Sequence, residues 1–283
     1  MHATHRWSAR FALAETLEVL RNDQQRRAAV LLTGIAGGLM VACLVAHESG
    51  AGADAFAYWS AVRTWLAGGD PYHPATAIWP YAYPIWMLPI FLPWALLPWP
   101  LAWFIWRTTM VVLLCWTFVW AYRRRPLPAA IMLAVLAAPL GVVLDSGNIA
   151  LFLTFGLWAA QFTGPRTAGL IWALATSMKW IPALFLPILA PAARRWGLAL
   201  VALGVILSLL TWQWTLGQLE VIGLYGVPKA SKGIVSMRVD HLVYVWALIP
   251  WIWVHLETAR WRGRDIWPLR AGWPGDRAGK ETS

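Results

Sequence analysis

Residues 84–125 read PIWMLPIFLPWALLPWPLAWFIWRTTMVVLLCWTFVWAYRRR, an apolar stretch that opens among five prolines and closes on three arginines. From Leu101 to Tyr122 it contains no proline and a single charge, Arg107. A helix rises about 1.5 Å per residue and needs roughly 20 apolar residues to cross a bilayer's hydrocarbon, so this part is long enough for one span. The part before it holds Pro84, Pro89, Pro93, Pro98 and Pro100 and cannot be regular helix throughout. Broken backbone at membrane depth is tolerated only where protein or a watery cavity surrounds it, so a spanning helix is expected beside such a cavity.

Working outward, further apolar runs lie at about 28–46, 128–144, 148–162, 167–193, 196–214 and 240–258. The stretch from Ala168 to Ala193 is interrupted at Lys179 and Pro182, which predicts two short helices meeting there. Across all 283 residues, 59% are hydrophobic and 13% charged, with a mean hydropathy of +0.55. One globular core cannot hide that much apolar surface, so lipid is its solvent, and an ordinary soluble domain or a disordered chain is excluded. The fold class expected is an all-α polytopic transmembrane helical bundle. A net charge of +10 would suggest nucleic acid only if the cations shared one folded face, and here they sit between apolar runs. Cys43 and Cys115 also lie inside apolar runs, which suggests neither a disulfide scaffold nor a thiolate metal site.

The distribution of cations predicts orientation. Residues 1–27 carry Arg6, Arg10, Arg21, Arg26 and Arg27 together with Glu15, Glu18 and Asp23, a mixture foreign to a signal peptide. They read as a cytoplasmic leader, with Phe11, Leu13, Leu17 and Leu20 forming an interfacial helix. With the leader inside and one net crossing over 84–121, seventeen of the 23 Lys and Arg residues fall in the cytoplasm. The chain then divides into the leader, a membrane domain over 28–258 with an outer loop at 47–83, and a basic cytoplasmic tail over 259–283. The six remaining cations, Arg63, Arg107, Lys179, Lys229, Lys232 and Arg238, lie at or near the outer side.

The outer loop contains ADAFAYWSAVRTWLAGGDPYHP. Phe56, Trp59, Val62, Trp65 and Leu66 recur at three- and four-residue spacing, which predicts an amphipathic helix from about Asp54 to Leu66 on the outer membrane surface. Asp54 stands at its start as an N-cap or first-turn acid, and Gly68, Gly69, Asp70 and Pro71 form the turn that stops it.

A span, then DAFAYWSAVRTWLAGGDPY, YAYP, a proline-rich run, LDSGN and AGLIWALATSMKWIPALFLPILAPAARRW form an order that resembles the polyprenol-phosphate-sugar-dependent glycosyltransferases of family 87, in the GT-C superfamily of integral-membrane enzymes. The resemblance covers about residues 28–215. It departs from the family pattern at Ile85, where a second proline is common, and at Ser146–Gly147–Asn148, where Gly-Gln-Asn is usual. It implies an inverting transfer of a sugar, mannose being the commonest, from a polyprenyl-phosphate donor to a glycolipid or polysaccharide acceptor on the outer face. Asp54 matches the superfamily's catalytic acid, as general base toward the acceptor hydroxyl. A carboxylate at a partly desolvated surface has a raised pKa that suits this task.

A lipid phosphate leaves as an anion, so fixed cations are expected near it. Lys179, amid the apolar SMKWIP, is the first candidate, with snorkelling to the interface as its structural role. Arg107, two turns into a span, either pairs with Asp145 or binds the donor phosphate. Asp145 and Asn148 flank the turn between two spans, where Asp145 and Ser146 cap the helix beginning near Asn148 or the pair faces substrate. Asp70, a rival base or sugar contact, also fits a plain turn. Tyr58, Trp59, Tyr72 and Tyr83 are candidate sugar contacts or members of an interfacial aromatic belt. Lys229, Lys232 and Arg238, ahead of Asp240 and His241, could guide an anion or simply be solvated.

No cofactor is called for. His47 and His73 with Asp54 or Asp70 could hold a divalent ion, but the spacing is that of no known metal motif. No Gly-rich phosphate cradle sits between a strand and a helix, in keeping with a lipid-linked donor. Two other classes fit the same hydropathy. One is a multi-pass lipid or solute transporter, although a proton-coupled one usually keeps carboxylates deep in its spans, which here hold almost none. A non-catalytic accessory subunit is compatible with a C-terminal end shorter than in typical family members.

Overall fold

The computed structural model describes residues 4–46, 51–74, 79–226 and 240–260. It is 85% helical with no strand among the described residues, and it is the structure of an all-α polytopic membrane protein. Helix α1 (Thr4–Ala46) is followed by α2 (Ala53–Leu66), then a 3₁₀ turn (Ile85–Met87) leading into α3 (Leu88–Ala95). Next come α4 (Trp99–Arg124), α5 (Pro126–Ser146), α6 (Ala150–Ala160) and α7 (Pro165–Met178). A 3₁₀ helix (Ile181–Ile188) precedes α8 (Pro191–Leu210) and α9 (Trp212–Gly226), and a second one (Asp240–Leu248) runs into α10 (Ile249–Arg260).

Among the described residues, four helical segments are long and apolar enough to cross a membrane: Asn22–Val45, Trp99–Arg124, Pro126–Ser146 and Pro191–Leu210. The third is 56% buried against 11 to 28% for the others, which makes α5 the central helix. It packs along α1 and touches α4, α6 and the Asp240–Leu248 helix. Backbones approach closely where side chains are small. A Cβ on Gly141 of α5 would stand 2.8 Å from that of Cys43 in α1. Gly169 of α7 and Gly197 of α8 form a tighter seam, since a Cβ on Gly169 would meet Ala193 O at 2.7 Å and Gly197 N at 2.8 Å. Small residues at such crossings are how helices gain dispersion contacts when lipid offers no hydrophobic drive.

The leader does not form a separate helix lying across the membrane surface. Its backbone continues into the first span as one helix of 43 residues, about 65 Å long. The side chains of Phe11, Leu13, Leu17 and Leu20 lie outside those described. The proline-rich part of the opening stretch is broken as expected, because Pro84, Pro89, Pro93 and Pro98 punctuate a 3₁₀ turn, the eight-residue α3 and the start of α4. The stretch from Ala168 to Ala193 is broken at Lys179, which is extended at φ −141° and ψ 145°. The segment after it is a 3₁₀ helix rather than an α-helix, and Trp172 Nε1 ties it back to α7 through Pro182 O at 2.8 Å. Towards one end of the bundle, Trp246 Nε1 donates to Thr117 Oγ1 at 3.0 Å and Gln161 Nε2 to Ala247 O at 2.7 Å.

Candidate active site

Helix α2 has the predicted bounds but a different orientation. Its buried face is Ala53, Ala57, Tyr58, Ala61 and Val62, while Trp65 and Leu66 of the expected apolar face are exposed. Alanines facing inward let α2 pack closely against α3, α4 and α5. Its entry is fixed by Gly52 N donating to Asp145 O at 2.7 Å, and its flank by Trp59 Nε1 donating to Leu97 O at 3.0 Å.

The seat of α2 is the turn between α5 and α6. Gly147 there has φ +70°, a left-handed conformation that costs an L-residue about 1–2 kcal/mol. A Cβ at that position would lie 2.7 Å from both Ala55 Cβ and the Trp103 ring. Trp106 Nε1 donates to Gly147 O at 3.0 Å and clamps the turn from α4. Asp145 and Ser146 are therefore the last residues of α5 and not the cap of the next helix. The next helix begins at Ala150 behind Ile149, and Ala150 N donates to Asn148 Oδ1 at 2.9 Å.

This docking brings Asp54 of α2, a first-turn residue behind Gly52, to Asn148. Asn148 Nδ2 donates to Asp54 Oδ2 at 2.9 Å, and Lys179 Nζ donates to Asn148 Oδ1 at 3.0 Å. One residue of the outer loop and two from separate apolar runs thus form one chain: carboxylate, carboxamide, ammonium. Lys179 reaches it from the end of α7, which stops one residue earlier and leaves the backbone extended there.

The other candidates divide. Arg107 Nη2 lies 3.9 Å from Asp145 Oδ1 and its guanidinium carbon 5.5 Å from the Trp103 ring centroid, so the geometry shows the ion pair. Tyr58 is buried, its hydroxyl 3.3 Å from that of Tyr83 and 3.4 Å from Ile149 N, which donates to it. Burial first, then Tyr83 and Asp54, push the Tyr58 phenol well above its ordinary pKa, so it stays protonated. Tyr72 is 1% exposed, its hydroxyl donates to Tyr83 O at 3.0 Å, and burial with the Asp70 charge raises its pKa too. Tyr58, Tyr72 and Tyr83 are consequently braces inside the wall, with no ring face open for a sugar to stack on. Trp59 is half-buried between Phe56 and Trp99. Asp70 is exposed and occupied locally, accepting from Tyr72 N at 2.9 Å and pairing with His73 Nδ1 at 2.9 Å, with no bond to Asp54, Asn148 or Lys179.

Among the described residues no group of three or more His, Cys, Asp or Glu side chains converges on a point where a metal could sit. His47, Lys229, Lys232, Arg238 and the tail beyond residue 260 lie outside the described residues. Sequence reasoning missed Trp106, whose only local signal was its place in a tryptophan-rich helix. It also missed an apolar cavity of about 220 Å³ lined by Trp94, Trp106, Ile149, Phe152, Ile171 and Met178 among others. Ile149 and Met178 are the chain neighbours of Asn148 and Lys179, so the cavity begins where the polar chain ends.

The model of glycosyltransferase family 87 matches residues 81–222. That range takes in Tyr83, Arg107, Asp145, Asn148 and Lys179, and begins after α2 with Asp54, Tyr58 and Trp59. No curated protein and no solved structure matches the chain.

Proposed function

The chain belongs to glycosyltransferase family 87 and is a glycosyltransferase of the membrane; from that premise we propose that it moves a sugar, mannose, from a polyprenyl-phosphate donor to a glycolipid or polysaccharide acceptor. The observation that carries this reading is the chain from Asp54 through Asn148 to Lys179. It sets a general base and a fixed cation two hydrogen bonds apart, as a transfer with an anionic leaving group needs.

In this reading Asp54 takes the proton of an acceptor hydroxyl as its oxygen attacks the anomeric carbon. The bond from that carbon to the phosphate oxygen breaks on the opposite face, the configuration inverts, and polyprenyl phosphate leaves with the electron pair. Lys179 offsets the charge gathering on that phosphate. The cavity beside Ile149 and Met178 suits the first isoprenyl units of the carrier, being apolar and adjacent to the cation. Arg107, held by Asp145, adds positive potential at the same end. We place the site on the outer side of the membrane, with leader and tail in the cytoplasm, because the cations then obey the positive-inside rule.

The test uses the full chain in nanodiscs with polyprenyl-phosphate mannose as donor and a lipid extract as acceptor, following release of polyprenyl phosphate. Turnover that falls by about 100-fold or more in Asp54→Asn supports the base; unchanged turnover overturns it. Cysteines placed at Gly69 and Gly263 in a chain lacking Cys43 and Cys115 read the topology. Labelling from outside at Gly69 alone is expected, and equal labelling at both positions overturns the orientation.

A further inference from the structure

Asn148 sits where the two working charges meet, and its chemistry is more specific than that of a helix cap. Its Oδ1 receives two donors, Lys179 Nζ at 3.0 Å and Ala150 N at 2.9 Å. Both of these groups only donate, so this atom has to be the oxygen, and the amide orientation is fixed without ambiguity. The nitrogen then faces Asp54 Oδ2 at 2.9 Å, where an ionised carboxylate can only accept. Few side chains could replace it. An aspartate would face Asp54 with a second acceptor, a serine is too short to span both partners, and a leucine offers neither function. The backbone beneath is held as well, by Asn148 N donating to Val143 O at 3.2 Å and by the left-handed Gly147.

We infer that Asn148 is a positioning residue that holds the carboxylate of Asp54 and the ammonium of Lys179 at a set spacing through its two carboxamide ends. This rests on the roles given above to those two residues, and it adds that the acceptor side and the donor side of the reaction are mechanically and electrically joined. An anion arriving at Lys179 withdraws positive charge from the carboxamide and so makes Asp54 more basic. The base is strengthened when the donor phosphate is seated.

Several groups bear on Asp54 among the described residues. On α2 itself stands Tyr58, joined to Tyr83. Of the helices packed against α2, α3 carries no titratable side chain, α4 brings Arg107 and α5 brings Asp145, which pair with each other. Lys179 acts through Asn148.

The experiment reads the protonation of Asp54 without needing the acceptor. The full chain in nanodiscs is treated with a water-soluble carbodiimide and glycine ethyl ester, which amidate protonated carboxyls, and peptide mass spectrometry gives the pH at which Asp54 becomes half-modified. Asn148→Asp and Asn148→Ser both keep a capping oxygen for Ala150, and the serine adds no charge beside Asp54, so a residue that only caps would leave the melting temperature unchanged in both and this pH unchanged in Asn148→Ser. The expected result is an unchanged melting temperature with the midpoint raised by about one pH unit or more, as for like charges in one site. Asn148→Ser, which also caps but does not reach Asp54, is expected to raise it too, and serves if the aspartate variant folds poorly. A midpoint equal to wild type in a folded Asn148→Ser variant overturns the proposal, whatever Asn148→Asp does. Adding polyprenyl monophosphate raises the wild-type midpoint and leaves that of Asn148→Ser in place. If that lipid moves nothing while the variants still shift, Asn148 retains its positioning role and the lipid-phosphate donor is what fails.

Discussion

Along the seam of α7 and α8, Gly169 and Gly197 let two backbones touch, whereas around α2 the contacts are made by indoles, phenols and a carboxamide reaching towards irregular backbone. In the first region both helices run unbroken past Gly169 and Gly197, so the side chains at the crossing need only fit. In the second, Pro98, Gly147 and Lys179 interrupt the helices, and the loosened carbonyls are taken up by Trp59, Trp106 and their neighbours. The difference teaches that this bundle places hydrogen-bonding side chains where backbone regularity has been given up, and the proposed site lies there.

Substitutions can break or sharpen that contrast. The largest effect is expected from Asp54→Asn, which should lower transfer by about 100-fold or more while the melting temperature stays near wild type. An equal loss of both would show that the carboxylate serves the fold. Gly147→Ala comes next, since a left-handed conformation and a contact of 2.7 Å to Ala55 both oppose a methyl group. It should cost about 3 kcal/mol and loosen α2 from its seat, read as new proteolytic cleavage near Gly68 together with lost transfer. Gly169→Leu should cost about 2 kcal/mol in thermal unfolding of the detergent-solubilised chain, yet leave the pH dependence of transfer as it was, because the α7–α8 seam touches no reacting group. The smallest is Trp59→Phe, which keeps the ring contacts with Phe56 and Trp99 but removes the bond to Leu97 O. A loss of about 1 kcal/mol, measured by the same unfolding, is the expected outcome.

The sequence made some of this plain and hid the rest for identifiable reasons. Proline and charge inside apolar runs marked the breaks at 84–100 and at Lys179, because both are costly within a regular helix in lipid. The bounds of α2 followed from Gly68 and the spacing of its large side chains. Which face of α2 is buried did not, since lipid and protein interior are both apolar and the periodicity of Phe56, Trp59 and Trp65 fits either. Here the small residues mark the inside. Asp54 and Lys179 were legible as single residues because charge is rare in such a chain, but their joining is not local. Asn148 is 94 positions from Asp54 and 31 from Lys179, and no spacing rule spans those distances.

The directions in which α2 and α7 run carry one more consequence. Asp54 stands in the first turn of α2 and Lys179 just past the last turn of α7, so each charge occupies the helix pole of opposite sign. Each such placement contributes about 0.3–1 kcal/mol. Exchanging the two, a lysine at 54 and an aspartate at 179, would conserve the sum of charges and set both against their poles. The site is therefore handed in charge as well as in shape, and that polarity is written by the chain's own direction before any substrate arrives.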